Sequence, residues 1–371
     1  MSKQPRIAIV HDWLTNLGGA ERTVRALLDA YPRADLYTSV YDKDGLDLFR
    51  DVEVRTTWLQ KIPGKLKFKH QLWVPLRPLA FRSLNLKDYD IIISSSSAEA
   101  KQVRGDSRTV HICYCHTPIR YFWVNPEKYM REPGLGPLNF LAPVIVPLFL
   151  KALKRSDYKA AQKIDVFIAN SKAVQSRIAK YYDRDSKIVY PPVQIDRFRQ
   201  SKPPKRAGFI TAGRQVAYKR HDLAIEACNK LELPLLVLGN GPEHERLKHI
   251  AGPTITFNSN PSDQDIEGAF KSARAFIHPG EEDFGITPIE AMAAGTPVIA
   301  YMAGGALDYI KPAINGEFFD RQTPTSLEKA LKNFDTKKYK HNIVSQSALE
   351  FSLEKFQKQI VSVVENIPKV K

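Results

Sequence analysis

Cysteine is scarce in this chain, at three residues in 371. So few thiols exclude a disulfide framework and suit a reducing compartment. Long apolar runs are missing too. The longest, residues 135–153, is interrupted by Pro137, Pro143 and Pro147 and carries Asn139 and Lys151. It is too short and too broken for a membrane span, and irregular or helical structure packed near a membrane surface is expected instead. There is no low-complexity tract or short repeat, and a composition of 43% hydrophobic and 26% charged residues is that of a globular protein. The chain runs from Ser2-Lys-Gln-Pro directly into an apolar strand at 7–10, so no secretion signal is expected.

Acidic residues are in deficit: 55 Lys and Arg stand against 40 Asp and Glu, a net charge of +15. Residues 1–200 hold 33 basic and 20 acidic side chains, whereas residues 201–371 hold 22 and 20. The first half is therefore expected to face a polyanion. There Lys61, Lys65, Lys67, Lys69, Arg77 and Arg82 alternate with Trp58, Phe68, Trp73 and Phe81. Such alternation suits an anionic lipid surface. It also suits the stacked bases of a nucleic acid, and a solvated basic face over an ordinary core is the plainest account of the same residues.

At this length the chain can build two domains, each with its own core. Apolar strands at 7–10, 90–95, 109–115 and 165–169 alternate with helices at 19–30 and 172–182. That order predicts a parallel sheet covered on both faces. A Pro- and charge-rich stretch at 191–204 marks the domain boundary. A second series follows, with strands at 208–212, 235–238, 255–257, 275–278 and 297–300 and helices at 221–231, 242–249 and 263–272. The pattern at 345–367 is helical. Two doubly wound, Rossmann-like α/β domains facing a cleft are expected, at residues 1–194 and 195–350.

Glu282-Asp-Phe-Gly-Ile-Thr-Pro-Ile-Glu290 is the most informative stretch. It leaves the C-terminal end of a strand, where open α/β sheets bind ligands, and runs into a helix start. Unpaired N–H groups and the positive dipole end there suit phosphate. The two Glu side chains can accept hydrogen bonds from sugar and ribose hydroxyls on either side of a diphosphate; a solvated acidic loop capping a helix is the alternative. Arg214 follows a strand and Gly213, where its guanidinium suits phosphate oxygens bidentately, and Lys219 adds a point charge. Gly18 and Gly19 open the first helix, allowing backbone to approach a phosphate, although two glycines at a βα turn are also plain turn chemistry. Four Asp-x-Asp pairs, beginning at Asp42, Asp88, Asp183 and Asp263, lie in loop or helix-start contexts and are read as turn or cap residues. His111-Ile-Cys-Tyr-Cys-His116 invites a metal reading. On a strand, however, His111, Cys113 and Cys115 share one face and His116 takes the other, so no zinc site is expected.

These segments together resemble the retaining glycosyltransferases of family 4, which have the two-domain GT-B fold. The Glu282/Glu290 spacing matches that family's Glu-x7-Glu motif. Gly213-Arg214 with Lys219-Arg-His-Asp-Leu-Ala-Ile-Glu226 resembles its diphosphate-binding segment, Gly18-Gly19-Ala-Glu21 its N-terminal glycine loop, and His116-Thr-Pro-Ile-Arg120 its active-site histidine segment. Ala169-Asn-Ser-Lys172 and Val189-Tyr-Pro-Pro-Val193 resemble its interdomain region, and the segments occur in the family's order. The resemblance implies that Arg214 and Lys219 bind the diphosphate in place of a metal, so neither a metal nor another cofactor is expected. It implies sugar hydroxyls on Glu282, donor contacts along Phe284, Gly285, Ile286 and Thr287, the ribose on Glu290, and the transferred sugar against His116. An acceptor-binding first domain, a nucleotide-sugar-binding second domain and a C-terminal helix at about 351–371 crossing back to the first are implied as well.

The run His116-Thr-Pro-Ile-Arg-Tyr-Phe-Trp123, with Ser94-Ser-Ser-Ser-Ala98 and Glu281-Glu-Asp-Phe-Gly-Ile-Thr287, resembles mannosyltransferases of bacterial O-antigen and exopolysaccharide assembly, which use GDP-mannose. An acidic residue often follows the Trp in those relatives, whereas Val124-Asn125 follows here, and UDP-sugars stay open as donors. The expected partners are a nucleotide sugar, a lipid-linked or saccharide acceptor and an anionic membrane surface rather than nucleic acid. That places the protein in the cytoplasm, peripheral at the inner face of the membrane. A GT-B sugar-nucleotide epimerase and a basic binding module without catalysis are the competing readings.

Overall fold

The computed structural model describes residues 5–124, 142–199 and 206–367. Asn125, residues 135–141 of the long apolar run, residues 200–204 of the boundary stretch and residues 368–371 lie outside them. The chain divides into two compact units, Met1–Pro191 with Phe356–Lys371, and Pro192–Lys355. Among the described residues no helix is long and apolar enough to cross a membrane.

The first unit holds seven parallel strands: β1 (Ile7–His11), β2 (Asp35–Thr38), β3 (Val54–Thr56), β4 (Ile91–Ser96), β5 (Val110–Cys115), β6 (Val166–Ala169) and β7 (Lys187–Ile188), ordered β3-β2-β1-β4-β5-β6-β7. Every residue of β1 and β5 is buried, as strands covered on both faces require. The second unit holds six: β8 (Phe209–Ala212), β9 (Leu235–Leu238), β10 (Ile255–Asn258), β11 (Ala275–His278), β12 (Val298–Tyr301) and β13 (Gly316–Phe319), ordered β10-β9-β8-β11-β12-β13 and all parallel. In each unit the order reverses beside the first strand, at β1/β4 and at β8/β11. Connections leave in opposite directions there, so the strand ends open a crevice.

Several elements differ from the sequence expectation. β2, β3, β7 and β13 have two to four residues with polar or small residues among them, so neither an apolar run nor a period-2 pattern stands out. The helical segment expected at 345–367 is broken: one helix covers His341–Ser347, a 3-10 turn follows, and the last helix covers Leu353–Glu365. That last helix sets Phe356, Ile360 and Val363 into the first unit's core against Ile9, Ile112 and Tyr114. The later part of the apolar run, from Ala142, lies in the helix Ala142–Ala161.

The four Asp-x-Asp pairs serve local structure. Asp42 accepts from the Gly45 N–H at 3.2 Å, Asp90 from the Arg6 N–H at 2.7 Å, Asp183 caps a helix in the left-handed region, and Asp265 completes a capping box with Ser262.

Buried charge fixes the first unit's interior. Asp12, behind β1, accepts from the N–H groups of Ser97, Ala98 and Ala100 at 2.6, 2.9 and 2.7 Å, pinning the chain that leaves β4. Arg77 pairs with Glu99 at 2.9 Å, and both are withdrawn from solvent. Arg77 and Phe81 are thus core residues rather than members of the basic surface series. Lys101 pairs with Asp157 at 2.7 Å, and Asp157 also accepts from Trp123 Nε1 at 2.7 Å and Tyr182 Oη at 2.8 Å. Removing one partner leaves a buried charge uncompensated. Asp157→Ala is expected to destabilise the first unit by about 3 kcal/mol or more, read as a lower urea midpoint for its unfolding transition, whereas Lys101→Met combined with Asp157→Leu recovers most of that loss.

Candidate functional site

At the β8/β11 switch point two loops meet. The first leaves β8 through Gly213 and the exposed Arg214 and turns at Ala217–Lys219. The second leaves β11 through Pro279 and Gly280 to Glu282 and Phe284. They are in direct contact. A Cβ on Gly280 would lie 2.7 Å from both Lys219 Cα and the Tyr218 carbonyl oxygen, whereas one on Gly213 would meet Lys219 Nζ of its own loop at 2.8 Å. A side chain at Gly280 would force the loops apart.

The contact brings Lys219 Nζ to 2.9 Å from Glu282 Oε1, with the side chains only 13% and 20% exposed. His278 Nδ1 stands 4.0 Å from the same oxygen. Burial pushes the Lys219 ammonium towards neutrality, but the Glu282 carboxylate, assisted by Glu290, holds its pKa above the ordinary value. Burial likewise works to raise Glu282; Lys219 and His278 outweigh it and keep its pKa below the ordinary value. The pair therefore stays charged through the neutral range. His278 is lowered to about 4, by burial first, with Glu282 opposing, and His221 is lowered to about 4 by burial and the Lys219 charge, so both imidazoles are neutral.

The second loop is held from behind. The Gly305 N–H donates to the Glu282 carbonyl oxygen at 2.9 Å, and Phe284 packs on Tyr309 and Phe351 with ring centroids 5.7 Å apart in each case. The helix Ile286–Ala293 starts directly after it. Its N-cap, Gly285, has no side chain to cap the leading N–H groups, and a helix N-terminus of this kind suits an anion. Thr287 and the half-buried Glu290 lie on that helix. Arg214, Lys219, Glu282, Phe284, Gly285, Ile286, Thr287 and Glu290 thus all belong to this one loop pair and the helix that follows it.

The first unit's switch point carries a second polar line. His11 ends β1 with Nδ1 3.0 Å from the Ser95 carbonyl oxygen, and Ser95 Oγ lies 2.8 Å from His116 Nε2. His11 Nε2 stands 3.6 Å from Glu21 Oε1 on the helix that Gly18 and Gly19 open. Asn170 donates to the His116 carbonyl oxygen at 3.1 Å. Of the expected residues, His116, Gly18 and Gly19 fall on this line or beside it. Cys113 and Cys115 are buried free thiols, and among the described residues no group of three or more metal-ligating side chains comes together.

Residues 17–197 match the family described as "Glycosyltransferase Family 4", and residues 193–350 match "Glycosyl transferases group 1". The chain belongs to glycosyltransferase family 4. Its curated relatives include a GDP-mannose-dependent alpha-mannosyltransferase of Corynebacterium glutamicum, 30% identical over 141 residues, or 37% of this chain and 33% of that protein. The protein of the same description from Mycolicibacterium smegmatis is 32% identical over 133 residues, 35% of each chain. The chain therefore spans about a third of these relatives' length in the matched stretch. Among solved structures, Anabaena HepE in complex with UDP superposes over 98% of this chain and all of its own, with TM-score 0.70 at 18% identity. Sucrose-phosphate synthase from Thermosynechococcus elongatus superposes over 98% of each chain with TM-score 0.72 at 16% identity. The fold of this family member is GT-B.

Sequence reasoning missed His11, Asp12, Ser95, His221 and His278. For His11, Asp12 and Ser95 the sequence signal is weak, polar residues at the end of otherwise apolar strands, where a sheet of this class binds ligands; His221 opens a helix, and its relation to the site depends on the tertiary fold. The His11–Glu21 contact has a pH signature. Burial alone would lower His11, but Glu21 and Asp12 raise its pKa above 6.5. The stabilisation this contributes is complete below 6.5 and lost as pH rises through the raised value. In a proton NMR titration His11 is expected to titrate above 6.5 in the wild type and at a lower pH in Glu21→Gln, where only Asp12 and the Ser95 carbonyl still oppose burial.

Proposed function

We propose that this chain is a retaining, metal-independent hexosyltransferase. In this reading it moves mannose from GDP-mannose to a lipid-linked or saccharide acceptor during cell-surface glycan assembly. The observation that carries it is the Lys219 ammonium held against Glu282, within the field of Glu290, at a switch point that also opens an uncapped helix N-terminus. A departing nucleoside diphosphate gains charge as the sugar leaves, and fixed cations and N–H groups aimed at it lower the barrier. Lys219 and Arg214 supply the cations and the start of Ile286–Ala293 the N–H groups. The bond from C1 to the phosphate oxygen breaks, and its electron pair stays on that oxygen. The acceptor oxygen bonds C1 on the same face, and its proton passes to the leaving phosphate. Glu282 would hold sugar hydroxyls, Glu290 the ribose, and His116 the transferred sugar. The donor choice rests on the two relatives whose names specify GDP-mannose.

A thermal-shift screen separates the donors, because a ligand that binds only the folded state raises apparent stability. GDP-mannose is expected to give the largest rise among GDP- and UDP-sugars; a larger rise with a UDP-sugar replaces the donor, and no rise with any of them removes the transferase reading. Arg214→Ala and Lys219→Ala should each lower turnover by about 10²-fold or more, as loss of other preorganised electrostatic groups does. Turnover should persist in excess EDTA, and strict dependence on Mg²⁺ or Mn²⁺ would contradict the metal-free route.

For location, we propose a peripheral site on the cytoplasmic face of the membrane. Trp58, Leu66, Leu76 and Leu79 are exposed beside the exposed Lys61, Lys65 and Lys69, an apolar and basic surface suited to anionic lipid. Replacing Lys65, Lys67 and Lys69 with Gln should weaken binding to anionic liposomes by up to about 1 kcal/mol per charge and leave donor affinity unchanged. Wild-type liposome binding by that variant at low salt would mark these lysines as an inert solvated face.

A further inference from the structure

The helix Ala142–Ala161 carries Lys151, Arg155 and Lys159 four residues apart, and Lys163 follows its end at the same interval. Like charges at this spacing destabilise a helix, so helix formation does not account for the stripe. Arg82, from the helix Arg77–Arg82, and Arg104, from the segment between β4 and β5, line the same cavity of about 570 Å³. No carboxylate lines it. Lys101 reaches it too, but its ammonium is paired with Asp157. Among the described residues none of the other six cations forms an ion pair. Arg82 donates instead to neutral groups, Ser156 Oγ at 2.6 Å and the Gln102 amide oxygen. Burial and the Arg104 charge lower its pKa, the direction expected of a cation among cations without a counter-ion.

The lining also holds no Phe, Tyr or Trp ring, the broad stacking surfaces that a base would use. His111, at the start of β5, lies in this lining, whereas His116 follows the end of that strand, about 16 Å further along at strand rise. The cavity is therefore distinct from the polar line of His11, Ser95 and His116.

We propose that this cavity binds a multiply charged phosphate group of the diphosphate or bisphosphate class, independently of the donor site. Six cations around a space of this size and an absence of carboxylates select for high negative charge density, and Arg side chains suit adjacent phosphate oxygens. Such a group can arrive free in solution or as the headgroup of a lipid. The inference does not rest on the proposed donor chemistry, since none of its residues belongs to the second unit.

The test is calorimetric titration of the full chain with sodium pyrophosphate, using wild type, Lys219→Ala, and a variant with Lys151, Arg155 and Lys159 all changed to Gln. The triple variant should lose about tenfold in affinity per cation removed, on the order of 10³-fold in all, for one class of pyrophosphate site. Its circular dichroism and GDP binding should match wild type, and Lys219→Ala should keep the class that the triple variant loses. A second arm measures co-flotation with phosphatidylcholine vesicles carrying a polyprenyl diphosphate. Tighter binding to these vesicles than to free pyrophosphate assigns the lipid source, and equal or weaker binding assigns the free anion. The proposal is overturned if the triple variant binds pyrophosphate as wild type does. It is overturned equally if Lys219→Ala abolishes all pyrophosphate binding, a result that would leave the donor reading standing.

Discussion

The ion pair between Lys219 and Glu282 is the contact around which the second unit's site is arranged. It forms because β8 and β11 are neighbours in the sheet although the chain visits β9 and β10 between them. The loops leaving the two strands are pressed together where Gly280 meets the Tyr218–Lys219 backbone. Burial works against both charges, and each survives because of the other. Such a pair is poised for exchange. In the proposed reading an incoming diphosphate takes the ammonium and leaves the carboxylate to hydroxyl groups of a sugar.

The first unit solves a related problem with more buried charge. Asp12 holds the chain after β4 through backbone N–H groups, and Lys101 is anchored by Asp157. Arg77 and Glu99 pair nearby, with Tyr121 donating to Glu99. These contacts set the segment that follows Ser95, and Ser95 in turn orients His116 and His11. Polar residues at the end of a buried strand thus connect the sheet's rigidity to the one histidine that the family resemblance singles out.

Legibility followed the strength of the physical signal. β1, β5 and β11 were readable because three or more successive buried apolar or small residues leave little ambiguity about a covered parallel strand. β2, β3, β7 and β13 were not, being short and carrying mixed patterns. Nor did sequence separate Arg77 from its basic neighbours, since its withdrawal depends on Glu99, 22 residues away. The components of the second unit's site were legible because local motifs carry them: Gly213-Arg214, Lys219 and the Glu282–Glu290 stretch each sit within a few residues of a strand end. His278 and His221 were invisible as members because their relation to Lys219 exists only once β8 and β11 lie side by side.

The central claim is that Glu282 and Glu290 act on opposite sides of a diphosphate held by Lys219, and paired kinetics and calorimetry on Glu282→Gln and Glu290→Gln test it most directly. Glu282→Gln should lower sugar transfer by about 10²-fold or more while GDP binds nearly as it does to wild type. Glu290→Gln should instead weaken GDP binding more than it slows transfer at saturating donor. Parallel losses of transfer and GDP affinity in both variants would contradict the account.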